Sequence, residues 1–180
     1  MIEVTINSIG ISPMNYQRVV LLKEQAGERY LPIWIGPAEA DAIAVKLQGV
    51  DVPRPLSHDL LWSVIGTLKA SVNSIIINDL RDDTFYGRII LNAGKGQVEI
   101  DARPSDALEL AIRAEAPIFA GDAVLDEAAL LIDREPGKAI PQETTEGGNV
   151  SEDELRRLST FTDFINTLNM DDLGKGGQGK

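Results

Sequence analysis

The chain has 180 residues, no cysteine and a formal net charge of −11. This length suffices for one domain with a hydrophobic core and an appendage. The absence of cysteine excludes disulfides and thiolate metal sites, and the acidic balance argues against broad nonspecific attraction to nucleic acid. The N-terminal sequence lacks the pattern of a signal peptide, and no apolar run is long enough to span a bilayer. We therefore expect a cytoplasmic protein without membrane contact.

The first half of the chain predicts three strands followed by a helix. The strands, recognised by apolar alternation and by polar turns between them, cover residues 2–10, 16–22 and 30–35. Gly36-Pro37 then opens a helix that runs to about Leu47, because proline suits the first helical position, where its missing N–H would be unpaired in any case.

A second helix is expected between residues 53 and 70, with Ser57 as its N-cap. Pro53 and Pro55 hold the preceding loop extended around Arg54. The apolar residues of this helix recur at helical spacing and predict a buried face. They are Leu60, Leu61, Val64, Ile65 and Leu68.

The stretch from Val98 to Phe119 again predicts a strand and a helix. Alternation marks the strand, Pro104 begins the helix, and Asp106 lies in its first turn, where an acidic side chain meets the positive helix end. A late helix is expected near residues 122–131.

An internal repeat relates the two halves at a constant offset of 67 around the helix starts. The aligned pairs include Ile33 with Ile100, Pro37 with Pro104, Glu39 with Asp106 and Lys46 with Arg113. We therefore predict an α+β fold made of two strand–strand–strand–helix–helix units.

The composition changes after Asp133. Residues 134–150 are rich in proline and glycine and predict a flexible linker, and a capping box at Ser151 and Glu154 opens an amphipathic helix over residues 151–172. Residues 173–180 read as a disordered tail. The apolar stripe of this helix requires a surface to dock on, either this core or a partner subunit, and we expect a homo-oligomer. The stripe comprises Leu155, Leu158, Phe161, Phe164, Ile165 and Leu168.

Four ordered motifs resemble the bifunctional nuclease domain family over about residues 2–132. They lie at residues 31–44, 53–61, 79–91 and 101–113. Ser57 stands where threonine is common in the family, a change that keeps the hydroxyl. The resemblance implies a domain over residues 1–133 with one strongly bent, barrel-like sheet and helices packed on it. It also implies hydrolysis of phosphodiester bonds in DNA, RNA or both, with metal assistance. It supplies no list of catalytic residues.

Four side chains near these motifs are candidates for catalysis. His58, the only histidine, could act as a general acid or base because its unperturbed pKa lies near neutrality, or it could fill its helix turn and bond a backbone carbonyl. Asp59, Asp101 and Asp106 are the neighbouring carboxylates. Asp101 and Asp106 flank one strand-to-helix corner and could hold Mg²⁺, whose preferred ligands are hard oxygens. Alternatively, Asp106 stabilises the helix start and Asp101 pairs with an arginine.

Arg54, Arg103 and Ser105 form the predicted substrate-binding set. Each arginine lies beside a proline on a stiff backbone and could clamp phosphate through two hydrogen bonds, or could join the two repeats through a carboxylate. Trp34 and Trp62 could stack on bases, although tryptophans on a strand and on an apolar helix are more often core residues.

We predict the site where the loop 53–59 meets the corner 101–106. The first repeat lacks the charged set, because Gly36 replaces Arg103 and Trp34 replaces Asp101, so its corner should be structural. The alternative function is a non-catalytic binding or regulatory module that recognises an anionic ligand or a partner protein. The acidic charge and the lack of a compact metal motif favour this alternative.

Overall fold

The computed structural model describes residues 1–11, 16–132 and 139–141. The predicted C-terminal helix and tail lie outside these residues, as does most of the predicted linker. Three residues of that linker, Ala139–Pro141, form a short strand. No helix of the described residues is long and apolar enough to cross a membrane.

Mixed α and β structure is confirmed, with four helices and nine strands in the described chain. The strands are β1 Ile2–Ile11, β2 Arg18–Glu24, β3 Arg29–Ile35, β4 Ala70–Arg81, β5 Thr84–Ala93, β6 Gly96–Ala102, β7 Ile118–Ala120, β8 Leu130–Ile132 and β9 Ala139–Pro141. The helices are α1 Pro37–Leu47, α2 Ser57–Thr67, α3 Pro104–Ala114 and α4 Asp122–Ala128.

All nine strands belong to one open sheet with the order β6-β5-β4-β7-β1-β2-β3-β8-β9. Strands β1 to β3 and β4 to β6 form two antiparallel meanders. The short strand β7 lies between them, antiparallel to β1 and parallel to β4. Among the described strands β6 and β9 form the two edges, so these strands do not close into a barrel.

Each meander is followed by a helix that begins with proline, as the repeat predicts. The second half departs from the predicted unit because β7 separates α3 from α4, whereas α1 and α2 follow each other across a loop. The internal duplication and the strong bending of the sheet stay predictions.

Helix α3 lies at the centre of the packed layer. It contacts α1 on one side, α2 on the other, and β4 and β5 beneath. Ala107, Leu108 and Leu110 are therefore fully buried among the core residues. Because neighbours surround this helix, its polar residues Glu109 and Arg113 are also buried.

Two predictions for α2 are wrong. Of its predicted buried face only Ile65 is buried, and the other four apolar residues keep between 40% and 74% of their surface exposed. Ser57 is the first helical residue rather than the N-cap, a position that Leu56 takes. The expectation that tryptophans are core residues also fails, because Trp34 and Trp62 are both exposed.

Candidate functional site

The strand-to-helix corner before α3 depends on a close approach between two backbone segments. Arg103 is extended and Pro104 begins the helix. A Cβ on Gly87 of β5 would lie 3.1 Å from the Ala102 carbonyl oxygen and 3.4 Å from the Pro104 Cα. Glycine at position 87 thus lets the corner rest directly on β5, and this fixes where α3 starts.

Arg103 holds the two helix starts together. Its Nε and Nη2 donate to the two carboxylate oxygens of Asp106 at 2.7 and 2.8 Å, while Nη1 lies 3.0 Å from Glu39 Oε1 at the start of α1. The hydrogen bonds from Arg103 keep the pKa of Asp106 below its usual range. This geometry matches the structural alternative, an arginine that joins the two halves through carboxylates.

His58, in the first turn of α2, lies between two carboxylates of α3. Its Nε2 is 3.3 Å from Asp106 Oδ1, and its Nδ1 is 2.5 Å from Glu109 Oε2. His58 therefore contacts carboxylates rather than the backbone carbonyl of the alternative interpretation, and 17% of its side chain remains exposed.

Glu109 has no exposed surface. His58 lies close to it but off the direction of a hydrogen bond, so neither carboxylate oxygen completes a hydrogen bond with the described residues. Burial disfavours the ionised form and raises the pKa of Glu109 to about 7. A buried carboxyl group that titrates near neutrality is characteristic of functional sites, although structural ion networks also produce it.

An ion pair between the buried Arg113 and the partly buried Asp59 lies at the far end of this cluster. Arg113 donates from Nε to Asp59 Oδ1 at 2.6 Å and from Nη1 to the Glu109 carbonyl oxygen at 3.0 Å. Burial alone would raise the pKa of Asp59, but hydrogen bonds from the Leu56 backbone N–H and from Arg113 outweigh it and lower the pKa. We call the connected side chains the α2–α3 network. Its members are Arg103, Asp106, His58, Glu109, Arg113 and Asp59.

A cleft of about 360 Å³ opens beside Arg103, between the two strand-to-helix corners. Trp34, 43% exposed, and Ser105, almost fully buried, contribute to its walls. The remaining lining residues come from the segment before β2, the end of β3, the β4–β5 turn with the start of β5, and the start of α3. They are Gln17, Ile33, Ile35, Gly36, Asp83, Thr84, Phe85 and Pro104.

The sequence matches the bifunctional nuclease domain over residues 20–133. The chain belongs to the bifunctional nuclease domain family. An uncharacterised protein of Mycobacterium tuberculosis is 41% identical over 171 residues, which cover 95% of this chain and 97% of the relative. Bifunctional nuclease 1 of Oryza sativa is 24% identical over 106 residues, which cover 57% of this chain and 32% of the rice protein.

The bifunctional nuclease domain, as matched, contains the whole α2–α3 network and most of the cleft. The structure brings together four of the residues predicted from sequence, namely His58, Asp59, Asp106 and Arg103. Within the described part of the chain, Arg54 is exposed and forms no ion pair, and its role as a phosphate clamp stays a prediction. Asp101 is exposed on β6, opposite Arg88.

The two predicted magnesium ligands of the nuclease domain have different surroundings. Both oxygens of Asp106 accept hydrogen bonds from Arg103, whereas Asp101 lies on β6. No group of three or more histidine, aspartate and glutamate side chains in the described ranges could hold a metal ion. Metal assistance stays a prediction.

Glu109 and Arg113 are the network residues that the sequence predictions missed as site residues. Asp106, Glu109 and Arg113 are spaced i, i+3 and i+7, which places three charged side chains on one face of the helix. Such a face is normally exposed to solvent. The sequence signal that could have indicated a buried charged face is the pair His58 and Asp59 on α2. His58 contacts Glu109, and Asp59 pairs with Arg113.

Proposed function

We propose that this bifunctional nuclease domain hydrolyses phosphodiester bonds in nucleic acid at the start of α3. The observation that carries the proposal is His58, held between Asp106 and the buried Glu109, because Asp106 also accepts hydrogen bonds from Arg103 on the cleft wall. Family membership supports the same reaction class. A partly exposed histidine with a second titratable group behind it has the chemistry of a proton-transfer site.

The cleft supplies features suited to a nucleotide. The exposed indole of Trp34 offers a stacking surface, which single-stranded nucleic acids use irrespective of sequence. The backbone N–H groups of Ser105 and Asp106, in the first turn of α3, belong to the positive helix end that favours phosphate. Ser105 adds a hydroxyl in the cleft wall. A base on Trp34 would thus place its phosphate toward the start of α3.

Proton transfer follows from the positions of His58 and Glu109. In hydrolysis, the water oxygen forms a bond to phosphorus and loses a proton, while the bond from phosphorus to the leaving oxygen breaks and that oxygen gains a proton. His58 takes the proton from water or delivers one to the leaving oxygen, and such groups typically contribute about 10²–10⁴-fold to a rate. Glu109, with a pKa of about 7, can hold or release a proton at the opposite ring nitrogen.

The charge around Arg103 opposes phosphate binding. Asp106 and Glu39 occupy its donors, and Asp83 also lines the cleft. A phosphodiester must therefore displace a carboxylate from Arg103 or arrive with a neutralising cation. We propose that Mg²⁺ neutralises this negative charge during cleavage. Cleavage rates measured with and without a chelator test whether the ion is needed.

The direct experiment is a cleavage assay on protein purified until activity and mass coelute. The substrates are single-stranded DNA and RNA, and the variants are His58→Ala and Asp106→Asn. We expect both to fold and to cleave at least about tenfold more slowly, with the larger loss for His58→Ala. Lys95→Ala is the matched control, because Lys95 is exposed in the turn between β5 and β6 and lies outside both the network and the cleft. Activity that survives unchanged in both test variants contradicts the proposed site.

A non-catalytic binding module is the second candidate, and the same carboxylates favour it. Because Arg103 already has two acidic partners, the corner is complete as a structural joint without any ligand. Under this alternative, the purified chain binds a partner but cleaves no nucleic acid under any metal condition. Cleavage that coelutes with the wild-type protein and falls in His58→Ala decides for the nuclease.

A further inference from the structure

Helix α2 presents an apolar stripe to solvent. Leu60, Leu61, Val64 and Leu68 recur at helical spacing, and each keeps 40% or more of its surface exposed. The two residues of this helix with ionisable side chains, His58 and Asp59, contact α3. The stripe therefore carries no charge, which is unusual for a solvent-exposed helix face.

The sheet adds a second apolar surface on β6. Val98 lies opposite Leu91 and Ile100 opposite Ile89, and residues directly paired across antiparallel strands share one face of the sheet. Leu91 and Ile89 belong to the buried core, while 48% of Val98 and 42% of Ile100 are exposed. The core face of the sheet thus continues onto an edge strand where the described residues leave it open to solvent.

The two surfaces lie at the same end of the sheet. Helix α2 leads into β4, which begins at Ala70, and Ala70 pairs with Ala93 at the end of β5. Ala93 in turn pairs with Gly96, the first residue of β6. We call the combined surface the α2–β6 face. It consists of Leu60, Leu61, Val64, Leu68, Val98 and Ile100.

We infer that the α2–β6 face is the contact between two copies of this chain. The chain carries a net charge of −11, so most of its surface would repel a second copy. The apolar positions of this face avoid that repulsion, because they can pack against the same positions of another copy without juxtaposing charges. A two-fold contact requires such self-complementarity.

Nucleic acid and a basic partner protein fit the face less well. Nucleic acid needs cations, and none of the six positions carries one. A basic partner protein would select acidic surface instead. The α2–β6 face includes no residue of the α2–α3 network or of the cleft, so dimerisation and nuclease activity can each be absent without the other.

Sedimentation velocity on the full-length protein tests the inference. We expect the wild type to be a dimer at micromolar concentration and Val64→Glu to weaken association by at least about tenfold, because it buries charge at the centre of the stripe. Leu47→Glu is the matched control, since Leu47 ends α1 with 52% of its surface exposed and lies outside the face. It should leave the dimer intact.

A cysteine cross-link gives a readout that does not depend on the glutamate variant folding. The chain has no cysteine, so Val64→Cys introduces a single thiol, and oxidation links two copies when their stripes meet. We expect a covalent dimer from Val64→Cys and none from Leu47→Cys. A wild type that is monomeric throughout, or Val64→Glu that retains full association, overturns the inference and assigns the face to another segment or partner.

Discussion

The two helices that begin with proline use the same backbone and carry different chemistry. Gly36 before α1 and Arg103 before α3 are both extended, with φ, ψ of −70°, 158° and −65°, 146°. Counted from the proline, the third, sixth and tenth residues are Glu39, Ala42 and Lys46 in α1, but Asp106, Glu109 and Arg113 in α3. The same backbone corner therefore carries few charged residues before α1 and forms a charged centre before α3.

Packing explains why only the second helix became a charged centre. Helix α3 has α1 and α2 on its two sides, whereas Lys46 of α1 is exposed to solvent. An acidic or basic residue on α3 is removed from water and requires a partner, and α2 supplies His58 and Asp59. The first corner contributes one carboxylate, Glu39, which completes the arginine joint.

Substitution of the tenth residue, Arg113 in α3 and Lys46 in α1, should give the largest difference between the two helices in the free energy of unfolding. Arg113→Met removes a buried cation and leaves Asp59 with no ionic partner in α3, so we expect a loss of about 3–5 kcal/mol in the free energy of unfolding. Lys46→Met, the matched change in α1, should change it by less than about 0.5 kcal/mol. Urea denaturation measures both, and equal costs would break the comparison.

The sixth residue of α3, Glu109, should make the free energy of unfolding depend on pH. The pKa of Glu109 rises from an ordinary 4.5 to about 7 on folding, so the folded chain binds more protons between these values. Its contribution is fully favourable below pH 4.5 and is lost as pH rises to 7, by about 3 kcal/mol. The lowered pKa values of Asp59 and Asp106 act below pH 3.8, outside this window.

Glu109→Gln tests this linkage, because it removes the ionisation and keeps the side-chain shape. The variant should show a flatter stability profile between pH 4.5 and 7 and should exceed the wild type in stability near pH 8. Ala42→Gln at the same position of α1 is the control for adding an amide. A wild type whose stability rises across this window would contradict the assignment of a raised pKa to Glu109.

Local sequence patterns were sufficient to predict the two strand-to-helix corners before α1 and α3. A proline and an acidic first turn specify a helix start without contacts to residues far away in the sequence. The same patterns could not predict that α2 exposes its apolar stripe. Periodicity identifies which residues share a face, but whether another element covers Leu60 and Val64 depends on tertiary packing. For the same reason Glu109 was missed, since nothing in its own helix reveals burial.

Two glycines should give effects of about 1 kcal/mol with opposite signs. Gly87→Ala places a Cβ 3.1 Å from the Ala102 carbonyl oxygen and forces the second corner to move, so we expect destabilisation by about 1 kcal/mol. Gly66→Ala in α2 meets open space and should stabilise by about 0.5–1 kcal/mol. Thermal unfolding measures both, and Gly87→Ala without any cost would refute the close approach.

The smallest effects are expected at the residues before the two prolines. Arg103→Ala removes exposed ion pairs to Asp106 and Glu39, which we expect to cost about 0.5–1 kcal/mol. Gly36→Ala requires only that the Glu39 side chain rotate away and should cost less than about 0.5 kcal/mol. Chemical denaturation at low and high salt separates the two, because only the Arg103 effect should shrink with salt.

The kinetic parameters of purified wild type, His58→Ala and Trp34→Ala on single-stranded nucleic acid test the central claim most directly. The second corner should carry the chemistry and the first should provide a binding surface. We therefore predict that His58→Ala lowers kcat by about 10²–10⁴-fold with KM nearly unchanged, and that Trp34→Ala raises KM with kcat nearly unchanged. A folded His58→Ala variant that retains the wild-type kcat would contradict the account.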